Sequence, residues 1–176
     1  MRPRLRCKLG QLKGQSVIEL ALILPVLVLL MLGLVDLSRA IQAYNIIANM
    51  SREGANLALR TSSFADPQDI MNSLASTAQP LAMSSKGMMY MTEVRGVVGG
   101  DAAVVPVIRS KIAWKNRSVP SSRVDEDSVS RILKDLDLNN GDRVYIFEVF
   151  YKYDSLFNPS GRYGALSPQL HSIAIF

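Results

Sequence analysis

The stretch Leu20-Ala21-Leu22-Ile23-Leu24-Pro25-Val26-Leu27-Val28-Leu29-Leu30-Met31-Leu32-Gly33-Leu34-Val35 carries no charged residue. Val17 and Ile18 extend it upstream across Glu19, and Leu37 extends it past Asp36. As an α-helix, Val17 to Leu37 is about 31 Å long at roughly 1.5 Å per residue. A bilayer hydrocarbon core is about 30 Å thick. The stretch therefore spans a membrane, provided that Glu19 and Asp36 sit near the two interfaces. Pro25 falls inside it. Proline is tolerated in membrane helices and predicts a kink there.

The residues before the stretch fix its orientation. Met1 to Gly14 hold Arg2, Arg4, Arg6, Lys8 and Lys13 and no acid. The whole 176-residue chain has 20 Lys+Arg against 15 Asp+Glu. Without those five bases the remainder is neutral, so the net charge of +5 sits in the tip. That distribution reads as a targeting segment and not as a phosphate-binding face. The positive-inside rule places the tip in the cytoplasm and the body outside.

Downstream, the helix is expected to continue. Between Asp36 and Arg60 there is no Pro, and the only Gly is Gly54. Leu37, Ile41, Tyr44, Ala48, Ser51, Ala55 and Ala58 recur at helical spacing. This face is poor in bulk, which predicts close packing against another helix. The helix would run from about Ser16 to Arg60, near 67 Å. Thr61-Ser62-Ser63 and Asp66-Pro67 end it.

The rest reads as a small α+β unit. Asp66 and Pro67 open a helix over about 67–83. Residues 88–98 and 104–115 read as strands, joined by a turn at Gly99-Gly100-Asp101. Residues 125–137 carry Val129, Ile132, Leu133 and Leu136 at helical spacing. Asn139-Asn140-Gly141-Asp142 is a turn. Residues 143–153 form the clearest strand, dense in Val, Ile, Phe and Tyr. Residues 156–168 are an irregular loop, and 171–176 a last strand.

The chemistry that the chain lacks narrows its function. The single cysteine, Cys7, excludes an internal disulfide, and with the single histidine, His171, it leaves no set of four zinc ligands. His171 in an apolar terminal strand reads as a structural histidine and not as the base of a hydrolase. Asp135-x-Asp137-x-Asn139 begins like a calcium loop, but Asn140 stands where the loop needs Gly and Ile146 where it needs Glu. Asp125-Glu126-Asp127 suits a helix N-terminus. No nucleotide fingerprint appears, and Asn116-Arg117-Ser118 is a bare sequon. The Tyr145, Phe147, Phe150, Tyr151 and Tyr153 aromatics read as sheet packing. No enzyme and no cofactor are expected.

What remains is Lys13-Gly14-Gln15-Ser16-Val17-Ile18-Glu19-Leu20. A basic leader ends at Gly14, and an acid stands five residues beyond it. This resembles the processing site of type IV-pilin-like proteins. There, a prepilin peptidase cuts after the Gly and leaves the apolar helix attached. The resemblance implies a cut between Gly14 and Gln15. The freed amine on Gln15 has a pKa near 8 and is a cation at neutral pH. Glu19 buried in a bilayer or bundle costs about 2.5 kcal/mol or more without a partner. A neighbouring subunit's N-terminal amine would supply one. Ser16-x-x-Glu19 also fits a capping box, which needs no assembly role.

The run Gly14–Pro25, with Leu32-Gly33-Leu34-Val35-Asp36-Leu37-Ser38-Arg39-Ala40 and Ser51-Arg52-Glu53-Gly54-Ala55, resembles the N-terminal signature of TadE-like pseudopilins of tight-adherence (Flp-type) pilus systems. Leu20 departs from the aromatic often found after the Glu in such systems. The body of the chain is longer than a major Flp pilin, which points to a minor pseudopilin needed for pilus assembly. The resemblance implies a pilin-like α+β fold, with a long N-terminal transmembrane helix and a small antiparallel-sheet domain bearing one or two helices. It divides the chain into a leader (1–14), a membrane helix (15–37), its periplasmic continuation (38–60) and a periplasmic domain (61–176). Gly14 and Gln15 would be the processing residues, Glu19 the assembly residue and Pro25 the kink. Partners would be the prepilin peptidase, other pseudopilins and the major pilin, the inner-membrane assembly platform and membrane lipid, with no nucleic acid. The alternative is an exported periplasmic or secreted binding domain, with a conventional signal peptide cut after Ala40 at Ser38-Arg39-Ala40. An uncleaved signal anchor is a further rival.

Overall fold

The computed structural model describes residues 11–61, 66–100, 103–114, 122–134, 136–156 and 169–176. Cys7, the Asn116 sequon, Asp135 and the expected loop from 157 onward lie outside them. The first element, α1 (Gln11–Thr61), is continuous through Pro25. The chain divides into two compact units between Arg39 and Ala40.

In the first unit, α1 is apolar all round. Every large apolar side chain from Val17 to Leu37 is exposed, from 44% at Leu32 to 71% at Leu22. Among the described residues, none of the large apolar side chains of this stretch is buried. A helix apolar on all sides needs lipid or other helices around it. By length and composition this helix can cross a membrane.

The second unit is α+β. After α1 come α2 (Pro67–Thr77), α3 (Met83–Lys86), β1 (Gly87–Val98), β2 (Val104–Ala113), α4 (Glu126–Ile132), β3 (Arg143–Lys152) and β4 (Gln169–Ile175). The four strands form one sheet in the order β2-β1-β3-β4. All three pairings are antiparallel. A bulge between Glu93 and Val94 shifts the β1–β2 register. β3 lies inside the sheet, and each residue from Val144 to Tyr151 is buried. Its unbroken Val/Tyr/Ile/Phe run suits a strand covered on both faces.

Period-2 alternation splits most of those side chains between two cores, with Phe150 in the first cluster although it shares the parity of Val144 and Ile146. Tyr145, Phe147, Val149 and Tyr151 join Ala43, Ile47, Met50, Ala55 and Ala58 of α1 and Ile70, Met71 and Leu74 of α2. Val144 and Ile146 join Val94, Val124, Val129 and Leu133 beneath α4. Two contacts show how α1 meets the first face. Ser51 Oγ and Ser172 Oγ lie 2.8 Å apart. A Cβ on Gly54 would fall 2.6 Å from the Phe147 ring.

This corrects the expected packing of α1. Its buried face is Ala43, Ile47, Met50, Ser51, Gly54, Ala55 and Ala58, and it packs into a core shared with the sheet and with α2. Leu37, Ile41 and Tyr44 are exposed.

Two helices are shorter than expected. α2 stops at Thr77, because Pro80 follows and restricts the residue before it. Asp66 caps α2 by accepting from Gln68 N at 2.9 Å. Gln68 Nε2 donates to Ala113 O and Trp114 Nε1 to Asn72 Oδ1, both at 2.8 Å, which ties α2 to the end of β2. α4 ends at Ile132, and Leu136 is half exposed. The expected turn at 139–142 forms on Gly141, whose φ of +93° suits Gly. Its N–H donates to Gly96 O at 2.9 Å.

Candidate functional site

The segment expected to carry processing and assembly lies wholly on α1. Gly14, Gln15, Glu19 and Pro25 follow one another along the helix. The helix already runs at Gln11, so Ser16 is an interior residue and not an N-cap in this chain. The capping-box reading of Ser16 and Glu19 is therefore corrected. Gln15 takes Ser16's place as Glu19's partner, with its Nε2 donating to Glu19 Oε1 at 3.1 Å. The i,i+4 spacing puts both groups on one side of the helix. Gln15 and Glu19 are exposed, as are Val17, Ile18 and Leu20 around them.

A second polar cluster escaped the sequence. Glu148 sits at the middle of β3 and is fully buried. Its Oε1 accepts from Arg123 N at 3.1 Å, and its Oε2 accepts from Ser122 Oγ in a short contact. His171 Nε2 lies 3.3 Å from Oε1. The imidazole stacks on Phe150, with centroids 4.5 Å apart and planes at 27°. The Arg123 guanidinium stands 5.8 Å from the centroid of the same ring. Burial of a carboxyl is tolerated where hydrogen bonds satisfy it, and here residues 122–123 and β4 supply them. The one signal in the sequence is an acid within Tyr145-Ile146-Phe147-Glu148-Val149-Phe150-Tyr151.

Ser122, Glu148 and His171 share residue types with a hydrolase triad but not its order. In a triad the imidazole receives the serine proton and the carboxylate orients the imidazole. Here the Ser122 hydroxyl donates to the carboxyl, and no base stands on it. The cluster instead joins the segment before α4, β3 and β4. Among the described residues, no group of three His, Cys, Asp or Glu side chains converges to hold a metal.

α4 itself is firmly capped. Asp125 Oδ1 accepts from Ser128 N at 2.8 Å, and Ser128 Oγ accepts from Asp125 N at 2.7 Å. The Ser128 hydrogen bonds hold the Asp125 carboxyl below its ordinary range. At the far end of the unit, Lys86 Nζ pairs with Asp154 Oδ2 at 2.6 Å, and the hydrogen bond to Asp154 raises the lysine above its usual value.

No curated protein and no solved structure matches the chain. The family model described as TadE-like protein matches residues 14–56. The match opens at Gly14, covers the whole exposed apolar stretch and closes two residues past Gly54. Over residues 14–56, about a quarter of its length, the chain is similar to TadE-like proteins.

Proposed function

We propose that the chain is a minor pseudopilin needed to assemble a tight-adherence (Flp-type) pilus, and that it acts by packing and not by catalysis. One observation carries this reading. The stretch of α1 that exposes large apolar side chains on every side begins directly behind Gly14–Gln15, inside the segment that is similar to TadE-like proteins. Such a surface is suited first to lipid and then to the helices of other subunits. In this reading a prepilin peptidase cuts at Gly14, and Pro25 accommodates bending of the spanning helix. Glu19 serves subunit assembly as the one acid within the first turns of the mature helix. The body from Ala40 onward lies in the periplasm and offers contacts to other pseudopilins, the major pilin and the assembly platform.

A second reading has one observation in its favour. The second compact unit begins at Ala40, where a conventional signal peptide would be cut. The product would be an exported binding domain starting at Ile41 and retaining every buried residue of α1 from Ala43 on. Sequencing the mature N-terminus from cells with and without the prepilin peptidase separates the two. Gln15, appearing only with the peptidase, is the expected result. Ile41 would replace the pseudopilin reading with the exported domain. An intact Met1 would make the helix a signal anchor.

A further inference from the structure

The Gln15 side chain reaches one helical turn forward to Glu19, with Nε2 to Oε1 at 3.1 Å. In the uncut chain this is an ordinary i,i+4 pair. It gains chemical meaning at the proposed cut after Gly14, on which this inference rests. Cleavage would make Gln15 the first residue and place a free amine beside its own side-chain amide. That amine can attack Cδ. An N–Cδ bond forms, the Cδ–Nε2 bond breaks, and the proton shed by the amine leaves with Nε2 as ammonia. The product is a five-membered lactam, pyroglutamate. The step needs no oxidant, reductant or cofactor. It removes the amine, whose pKa near 8 would otherwise keep it a cation at neutral pH.

We propose that Glu19 is a positioning residue that holds the Gln15 amide forward and so preserves the free N-terminal ammonium of the mature subunit. The geometry sets the direction of the effect. Closing the lactam requires the Gln15 side chain to curl back on its own nitrogen, at the N-terminal end of the helix. A side chain engaged with residue 19 points the other way, and Cδ is then out of reach. The flanking Val17, Ile18 and Leu20 side chains are exposed apolar surface. Covered by lipid, they exclude water that would compete for the carboxylate, and the hydrogen bond strengthens. The same carboxylate thus keeps the cation in existence and stands one turn away as a counter-charge for it in a neighbouring subunit.

The test follows the N-terminal peptide of the full chain by mass, after processing in cells that hold the peptidase and purification in detergent. Wild type, Glu19→Ala, Glu19→Gln and Gln15→Ala are compared over time. Wild type is expected to begin with Gln15 bearing a free amine. Glu19→Ala is expected to close roughly two- to tenfold faster, the range from an exposed helix pair to an ordinary net hydrogen bond. Its product is lighter by one ammonia and is opened by pyroglutamyl aminopeptidase. Glu19→Gln keeps an acceptor oxygen without the charge and is expected to stay close to wild type. Gln15→Ala cannot close and supplies the free-amine reference. A wild-type chain already closed, or a Glu19→Ala chain that closes no faster, overturns the proposal and leaves the cut standing. A chain that begins at Met1 or Ile41 removes the cut, and the proposal with it.

Discussion

The Phe147 ring occupies the space that a side chain at Gly54 would need. A Cβ there would lie 2.6 Å from Cε1 and 2.7 Å from both Cδ1 and Cζ. Phe147 has no room to yield, being fully buried on β3. Gly54 therefore sets how closely α1 approaches the sheet. Gly54→Ala is expected to destabilise the second unit by about 1–3 kcal/mol, even though Ala favours a helix by about 1 kcal/mol over Gly. Thermal unfolding of the full chain in detergent measures it. Adding Phe147→Leu should recover part of the loss, and an unchanged or raised Tm in Gly54→Ala alone would refute the close-approach argument.

Glu148 ties three segments together through a single buried carboxyl. Glu148→Ala leaves the Ser122 hydroxyl and the Arg123 N–H without their acceptor, at about 1–3 kcal/mol for a buried group so stranded. Glu148→Gln keeps one acceptor oxygen and should lose less. Hydrogen exchange is the direct probe, because the loss should appear at 122–132 and in β4 before the rest of the sheet. Uniform loosening across all four strands would mean that Glu148 has no local anchoring role.

Glu19→Ala is expected to leave maturation at Gly14 intact while lowering pilus number on the cell surface. Counting pili by electron microscopy, alongside the N-terminal sequence of the variant, separates assembly from processing. Wild-type piliation in a correctly processed variant would remove Glu19 from the assembly mechanism.

The Asp125 cap predicts a pH response confined to acid. Its carboxyl is held below the ordinary value, about 3.9, by hydrogen bonds to Ser128. A lowered folded-state pKa means that the stabilisation is complete above the unfolded value and is lost as pH falls through the folded one. Protection of the Ser128 and Val129 amides, taken as exchange relative to the intrinsic rate at each pH, should therefore hold down to about pH 4 and fall below it. Asp125→Asn keeps an acceptor for Ser128 N and should flatten that acid response. An equally steep response in Asp125→Asn would assign it to another group.

Much of the fold was legible because it follows from local patterns. The uncharged stretch from Leu20 to Val35 requires a long helix exposed to an apolar medium, and α1 is that helix. The dense run of Val, Ile, Phe and Tyr from Arg143 onward marks β3, because β-branched and aromatic side chains favour strands. Asp66-Pro67 marked the start of α2 because an acceptor side chain followed by a fixed φ suits a first turn. The misses share a different origin. The buried face of α1 was misread because helical spacing fixes a stripe but not its partner. A stripe of small residues suits a helix and a sheet alike. The Glu148 cluster was missed because Ser122, Glu148 and His171 are far apart in sequence and meet only through the pairing of β3 with β4 and the path of the chain into α4.

The sequence by itself therefore determined the basic tip, the long apolar helix, the Gly14–Glu19 spacing and the α+β class, all of which depend on composition and on periods within one segment. Only the tertiary structure decided that α1 docks on a sheet through Gly54, that Gln15 and not Ser16 partners Glu19, and that a buried carboxyl clamps β3 to β4. These depend on distances between groups, and side chains separated along the chain acquire distances only when strand order and register are set.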